Sequence, residues 1–169
     1  KEAGSREIEA DVAGENLELG IVTLPVASSE LEVAPLFLDE IVPVAGATHP
    51  LSHDRRIPVS RLADFGLVGF EGGSAIRQII DGQLRDAGVE PNVVMELRSI
   101  PAILRMVATT GNLAFVSRLG VEADPSVAVL DVRNLSIVRQ LGVITRRGRT
   151  LSPAADAFLL RLQTFARNL

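Results

Sequence analysis

Segments with the pattern of β-strands alternate with segments that have the pattern of amphipathic helices along most of the chain. The strand-like runs include "LELGIVTLP", "GLVGF", "VVMEL" and "LAFVS". Stripes of apolar residues three and four positions apart follow over residues 74–87, after Ser99 and after Ser152. Because strands that alternate with helices build parallel sheets covered by helices, this pattern predicts an α/β fold with largely parallel strand pairing.

Three further local signals refine this prediction. Ser5 is placed to cap a short helix that continues through Ala13. In the apolar run "LFLDEIVPVAG", Pro43 indicates a strand edge or a break, because proline has no N–H group to donate to a neighbouring strand. The strand at 66–70 and the long strand at 136–145 are expected to cross between two lobes.

Composition and charge argue against several classes of protein. With 17 Lys and Arg against 21 Asp and Glu, the net charge is -4. A chain that binds nucleic acid by itself usually carries a basic surface, so this charge argues against such binding. The chain has no cysteine, which excludes disulfides and thiolate chemistry and suits the cytoplasm. No apolar run approaches the roughly 20 residues of a membrane span. The charged start "KEAGSREIEADVAG" is not a signal peptide. We therefore expect a cytoplasmic chain with no membrane contact and no cofactor.

The two histidines do not indicate a metal site. His49 and His53 are four residues apart, but Pro50 lies between them and indicates a loop rather than the helix that a metal pair at this spacing needs. No third ligand is evident. Both histidines are therefore expected to be solvated loop residues.

No group of residues indicates catalysis. His53, Asp54 and Ser60 are the residue types of a catalytic triad, but nothing places them together. Asp39 and Glu40 are adjacent on a predicted strand, so their side chains face opposite sides and make a poor acid–base pair. We expect a protein that binds rather than an enzyme.

The stretch "GFEGGSAIRQII" is the first candidate binding element. Gly72 and Gly73 let a ligand approach the backbone closely, and Ser74 adds a hydroxyl at the start of a helix, where an anion is favoured. The alternative is that the glycines serve a tight turn and that Ser74 only caps the helix. Residue types alone favour this alternative by roughly two to one. The pattern lacks the GK[ST] ending of a P-loop.

Other strand ends carry similar residues, and their convergence shifts the balance towards a small-ligand site. In open α/β sheets, ligands bind at the carboxyl ends of the strands. Ser99 also begins a helix, whose dipole favours an anion. The predicted site residues lie at or just past strand ends; they are Gly73, Ser74, Ser99, Ile100 and Ser117, with Leu24 and Pro25 from the opposite lobe.

The order of these segments resembles the effector-binding domain of LysR-type transcriptional regulators. The similar stretches are "LELGIVTLP", "LFLDEIVPVAGATHPLS", "PVSRLADFGLVGFEGGSAIRQII", "SIPAILRMVATTGNLAFVS" and "LGVITRRGRTLSPAADAFLLRLQ", which together cover nearly the whole chain. Two features depart from the family. Its N-terminal winged helix-turn-helix and the first strand and helix of its first lobe have no counterpart here. "NLAFVSRLG" stands where the family usually has a glycine-rich stretch that ends in proline.

The resemblance implies a periplasmic-binding-protein-like fold of type II, with two α/β lobes joined by two crossover strands. The first lobe would hold residues 1–69 and 138–169, and the second lobe residues 70–137. A small effector, often a carboxylate, would bind in the cleft between the lobes. The family also implies self-association, as a dimer and as a tetramer of the whole protein. DNA would be contacted only through the missing N-terminal domain.

Three other functions stay open at this point. A free-standing solute-binding protein of the same fold would carry a signal peptide upstream. An enzyme on this fold would place a catalytic pair within hydrogen-bond reach in the cleft. A bare dimerisation module would fill the cleft with its own side chains. The sequence does not identify the effector.

Overall fold

The structure is a computed structural model that describes residues 1–121 and 124–167. Within these ranges the chain forms four α-helices and seven strands, and two short 3-10 helices lie between the second and third strands. The helices are α1 (Ser5–Ala13), α2 (Ala75–Asp86), α3 (Ile100–Thr110) and α4 (Pro153–Ala166). The strands are β1 (Leu19–Thr23), β2 (Leu31–Gly46), β3 (Leu67–Phe70), β4 (Val93–Leu97), β5 (Leu113–Ser117), β6 (Val127–Val129) and β7 (Ile137–Arg146).

The chain folds as two compact units. The first holds Lys1–Leu38 and the chain from Arg139 onwards, and the second holds Asp39–Val138. Strand β2 begins in the first unit and ends in the second, and β7 returns the chain to the first. The expected first lobe, 1–69, differs from this division, which assigns residues 39–69 to the second unit. The reason is that β3 pairs with both β4 and β5, which lie wholly in the second unit.

The first unit is built on a two-strand pairing covered by a helix. Strand β1 runs antiparallel to β7, from Leu19 opposite Thr145 to Thr23 opposite Leu141. Helix α1 packs closely on this pair at Gly20. A Cβ atom at Gly20 would lie only 2.3 Å from Ile8 Cγ2, so the absence of a side chain there permits the close approach. The small core consists of Ile8, Val12, Val22, Leu31 and Ile144.

The second unit has the larger core and a sheet with the strand order β2-β5-β3-β4, to which β6 adds by pairing with β2. Helix α2 buries one stripe, as its period predicts, and α3 does the same. The buried stripe residues are Ile76, Ile80, Leu84, Ile103, Leu104 and Val107. The prediction of alternating strands and helices is confirmed for this unit.

The expectation of largely parallel pairing is wrong, because the pairing is mixed. Strand β3 is parallel to β4 and to β5. The pairs β1–β7, β2–β5 and β2–β6 are antiparallel. The connection between β2 and β3 contains only the short 3-10 helices Pro50–His53 and Val59–Asp64. Without the α-helical crossover that usually joins parallel neighbours, β2 takes the opposite direction to the other strands of its unit.

Pro43 neither breaks its strand nor marks an edge, contrary to expectation. Strand β2 continues through it, with Pro43 opposite Phe115 of β5. On the other side, β2 pairs with β6 only over Val44–Gly46, and the Pro43 carbonyl accepts a hydrogen bond from the Leu130 backbone N–H at 2.9 Å. The N–H and C=O groups of a strand residue point to the same side, so the donor that proline lacks would face Leu130, just beyond the last residue pair of β2 and β6.

His49 is not a solvated loop residue, although His53 is exposed as expected. Only 5% of His49 is exposed, and its Nδ1 accepts a hydrogen bond from the Leu51 N–H at 3.1 Å. Its ring meets Phe65 edge-on with a centroid separation of 4.6 Å, and Nε2 makes no hydrogen bond of normal geometry. Burial lowers the pKa of His49, and the nearby Gly111 backbone opposes that shift only in part.

Candidate functional site

Three parallel strands end at one edge of the second unit's sheet. Strand β3 lies between β4 and β5, with Phe70 opposite Leu97 and Val68 opposite Ala114. Parallel strands place their carboxyl ends at the same edge. The glycine turn at 71–74, Ser99 and Ser117 therefore lie along one edge of a sheet, as the sequence predicts.

Ser74 caps helix α2, and its hydroxyl both donates and accepts a hydrogen bond within the chain. Its backbone is extended, and its Oγ accepts a hydrogen bond from the Arg77 N–H at 3.4 Å. The same hydroxyl donates to the Glu71 carbonyl at 2.7 Å. The capping interpretation of Ser74 is confirmed, whereas a direct contact between Ser74 and an effector stays a prediction.

The two glycines of the turn differ in what surrounds them. A Cβ atom added at Gly73 would meet no atom within 4 Å, so this face of the backbone is open. A Cβ atom at Gly72 would lie 3.4 Å from Glu96 Oε1, and the Gly72 N–H donates to Glu96 Oε2 at 3.4 Å. The open part of the turn is therefore at Gly73.

The buried side chain of Arg77 contacts the strand ends and the helix that flank this turn. Arg77 is 9% exposed, and its Nη1 donates to the Phe70 carbonyl at 2.8 Å and to Glu96 Oε1 at 3.0 Å. Its Nε lies 2.8 Å from both carboxylate oxygens of Asp81. Burial by itself would lower the pKa of Arg77, but the hydrogen bonds to Asp81 and Glu96 outweigh it and raise the pKa. The guanidinium therefore ties together the end of β3, strand β4 and helix α2.

Ser99 begins helix α3 without capping it through its side chain. Its backbone is extended, as at the other serine caps, but its hydroxyl accepts no hydrogen bond from the helix. In contrast, Ser152 accepts one from the Ala155 N–H at 3.3 Å at the start of α4. The next residue, Ile100, is half-buried and lies against Gly120. The start of α3 thus offers a hydroxyl and helix N–H groups that the helix itself does not use.

Ser117 ends β5 in a buried polar pair that sequence reasoning missed. Ser117 is 5% exposed and Asp39 is 2% exposed. The Ser117 hydroxyl donates to Asp39 Oδ1 at 2.6 Å. Because the hydroxyl proton points at Asp39, Ser117 can offer only its lone pairs to another group. The sequence did predict that Asp39 and Glu40 face opposite sides: Glu40 is exposed and bound by Arg118 Nη2 at 2.9 Å.

Leu24 and Pro25 belong to the first unit, at the end of β1. Their peptide bond is cis. The Leu24 N–H donates to the Gln140 carbonyl at 2.8 Å, and a Cβ atom at Gly142 would lie 2.8 Å from Leu24 Cδ1. Leu24 therefore packs on β7, while Pro25 is exposed. A role for either residue in binding stays a prediction.

The described residues contain neither a metal-binding cluster nor a membrane-spanning helix. Within 1–121 and 124–167, no group of three or more His, Asp or Glu side chains is arranged to hold a metal ion. None of the helices in the same ranges is long and apolar enough to span a bilayer.

Curated relatives of this chain are transcription regulators. The chain is 30% identical over 146 residues to the "RuBisCO operon transcriptional regulator" of Allochromatium vinosum, a match that covers 85% of this chain and 48% of that protein. It is 31% identical over 157 residues to a "Probable RuBisCO transcriptional regulator" of a Synechocystis species, with 88% and 46% covered. The chain thus spans about half the length of the curated relatives it matches.

Solved structures share the fold at lower identity. The regulatory domain of Synechocystis CcmR, in complex with 2-PG, matches with a TM-score of 0.86 at 24% identity, over 99% of this chain and 82% of that one. The effector-binding domain of QuiR, in complex with shikimate, matches with a TM-score of 0.84 at 21% identity, over 98% and 79%. These likenesses confirm the predicted fold of type II periplasmic-binding-protein-like domains, built as a mixed sheet.

One protein family accounts for nearly the whole chain. The family described as "LysR substrate binding domain" matches residues 1–167. The match includes both units of the fold and every strand and helix named above. It agrees with the resemblance seen in the sequence. The chain therefore belongs to the LysR substrate-binding-domain family.

Proposed function

We propose that this chain is the part of a LysR-type transcription regulator that binds a small acidic effector. The start of helix α3 contacts the acidic group of that effector. The observation that carries the proposal is that Ser99 starts a helix without capping it through its hydroxyl, on the sheet edge where three parallel strands end. Unused N–H groups and the positive end of the helix dipole favour a carboxylate there. The solved relatives in complex with 2-PG and with shikimate support a small-molecule effector.

The other predicted residues take different parts in this proposal. Gly73 presents open backbone to the effector, and Ile100 supplies apolar contact. Ser117 accepts a hydrogen bond from an effector hydroxyl, because its own proton is bound by Asp39. Ser74 holds the turn in shape. The proposed effector is therefore a carboxylate that also carries hydroxyl or apolar groups.

At the level of the whole protein, we propose that effector binding shifts a DNA-bound oligomer between two arrangements. Such coupling requires that the effector bind the two arrangements with different affinity. The net charge of -4 indicates that DNA is contacted outside this chain. We place the protein in the cytoplasm, where a regulator reaches its DNA. The relatives' regulatory role favours sensing over catalysis and over free-standing solute transport.

Calorimetry with a panel of small carboxylates, shikimate among them, and with their uncharged amides tests the proposal. We expect at least one carboxylate to bind and its amide to bind far more weakly. Ser99→Ala should weaken that binding about tenfold to a hundredfold, since a hydrogen bond to a charged group contributes about 1.5–3 kcal/mol. Ser99→Thr, which keeps a hydroxyl, should restore it. Equal affinity of the wild-type chain, Ser99→Ala and Ser99→Thr would refute the assignment of α3.

A further inference from the structure

The glycine turn already holds a carboxylate of this chain. The Gly72 N–H, at the start of the turn that leads into α2, donates to Glu96 Oε2. The N···O distance of 3.4 Å is long, but the acceptor is charged, which strengthens such a bond. This N–H group belongs to the turn just before the helix, where successive backbone N–H groups can form an anion-binding concavity.

Arg77 holds the Glu96 carboxylate in that position from the protein interior. The Glu96 side chain is about half exposed, at 49%, and is free to leave the turn unless something anchors it. The anchor is the 3.0 Å contact between Glu96 Oε1 and Arg77 Nη1. Arg77 is 9% exposed and is itself fixed by the Phe70 carbonyl and by Asp81. One carboxylate oxygen therefore faces Arg77 while the other faces the turn.

The charges around the turn add to this effect. Besides Glu96, the turn contains Glu71, whose carboxylate lies 2.6 Å from Arg98 Nε. With Asp81, three carboxylates face the two guanidinium groups of Arg77 and Arg98. An additional anion at Gly72 would meet this acidic surface and would find its hydrogen-bond donor occupied.

We propose that Glu96, anchored by Arg77, is a specificity-determining residue that closes the glycine turn to anions. The proposal rests on the proposed function and deepens it. The acidic group of the effector goes to the start of α3, and the part of the effector that reaches the glycine turn is uncharged. Acids with a second anionic group at that end are rejected. Arg77 is a positioning residue in this arrangement, because it acts on the turn through Glu96.

The test follows the Gly72 amide signal in ¹H–¹⁵N NMR spectra of the labelled chain, with inorganic phosphate as the probe. The variants are Glu96→Gln, which removes the charge that occupies the Gly72 N–H, and Asp81→Asn as the matched control. Asp81 also binds Arg77 but does not touch the turn. In the wild-type chain and in Asp81→Asn, we expect phosphate to leave the Gly72 signal in place. In Glu96→Gln, the signal should move with at least about tenfold higher affinity, or about 1.4 kcal/mol.

Two results would overturn the inference. In one, phosphate moves the Gly72 signal equally in the wild-type chain and in Glu96→Gln. In the other, Asp81→Asn, which leaves the Arg77–Glu96 contact in place, gains as much affinity as Glu96→Gln, so that the loss of any nearby carboxylate charge, and not the release of the Gly72 N–H, explains the binding. If Glu96→Gln gives no folded spectrum, Glu96→Asp, whose shorter side chain withdraws from Gly72, carries the same test. The outcome is separate from the carboxylate panel: a chain that binds no carboxylate contradicts the proposed function, yet still reports on Gly72.

Discussion

Two serines of the second unit start helices in the same backbone conformation, but only one of them caps its helix. Ser74 has φ -78° and ψ 147°, and its hydroxyl accepts from the Arg77 N–H. Ser99 has φ -114° and ψ 141°, with no such bond. Replacing each serine with alanine therefore removes a cap at Ser74 and none at Ser99. Both residues belong to the same compact unit, so the two variants can be compared directly.

The expected losses follow from these contacts. Replacing a capping serine with alanine typically costs about 1 kcal/mol of unfolding free energy. Ser74→Ala also removes the 2.7 Å hydrogen bond to the Glu71 carbonyl, which keeps the Ser74 backbone N–H as a donor at 2.9 Å, so the loss should lie within the usual range, about 1–2 kcal/mol. Ser99→Ala removes no hydrogen bond to the helix and should cost less than about 0.5 kcal/mol. In a domain of this size, 1 kcal/mol corresponds to roughly 2–4 °C in Tm.

Urea unfolding and thermal scans of the wild-type chain and the two variants measure this difference. Ser74→Ala should lower the urea midpoint with an unchanged m-value, and Ser99→Ala should match the wild-type chain. Equal destabilisation by both variants would show that Ser99 does cap α3. Its hydroxyl would then not be available to an effector, and the reasoning that assigns the acidic group to α3 would fail.

Two other substitutions test the packing described above. Gly20→Ala places a Cβ atom 2.3 Å from Ile8 Cγ2 and should lower the unfolding free energy, measured in urea, by about 1–3 kcal/mol. Gly73→Ala, whose Cβ atom meets no atom within 4 Å, is the control and should be nearly neutral. Equal losses of stability in the two variants would contradict the packing of α1. Burial lowers the pKa of His49 below its ordinary 6.5, so the unfolded chain binds more protons. Stability should therefore fall as the pH drops below about 6.5, by at most about 1.4 kcal/mol per pH unit. His49→Asn, which keeps an acceptor for the Leu51 N–H, should flatten that dependence between pH 7 and pH 5, and an unchanged slope would show that other groups cause it.

The order of elements could be predicted from the sequence because it depends on local signals. Strands β4 and β5 begin and end where the apolar runs "VVMEL" and "LAFVS" do, and Gly111 ends α3 in the left-handed conformation with φ 67°. Strand direction depends instead on which distant strands pair, and no local signal reports it. The cap of α1 was also predicted wrongly: Gly4 is the cap residue, and Ser5 turns its hydroxyl to accept from the Thr23 N–H at 3.1 Å. That acceptor role depends on a tertiary contact with β1 that local pattern does not contain.

The candidate site shows the same limit in a form that bears on function. Residue type and spacing predict hydroxyls at three strand ends, but a hydroxyl can donate, accept or do both, and its partners decide which. Ser74 is engaged by the turn, and Ser117 is held by Asp39, a residue 78 positions away in the sequence. Ser99 has no bond to its own helix. Three serines of similar sequence context therefore offer an effector three different surfaces. The Arg77–Glu96 contact joins helix α2 to the edge strand β4, at residues 19 positions apart in the sequence. It places the Glu96 carboxylate at the turn where the sequence predicted a bound anion.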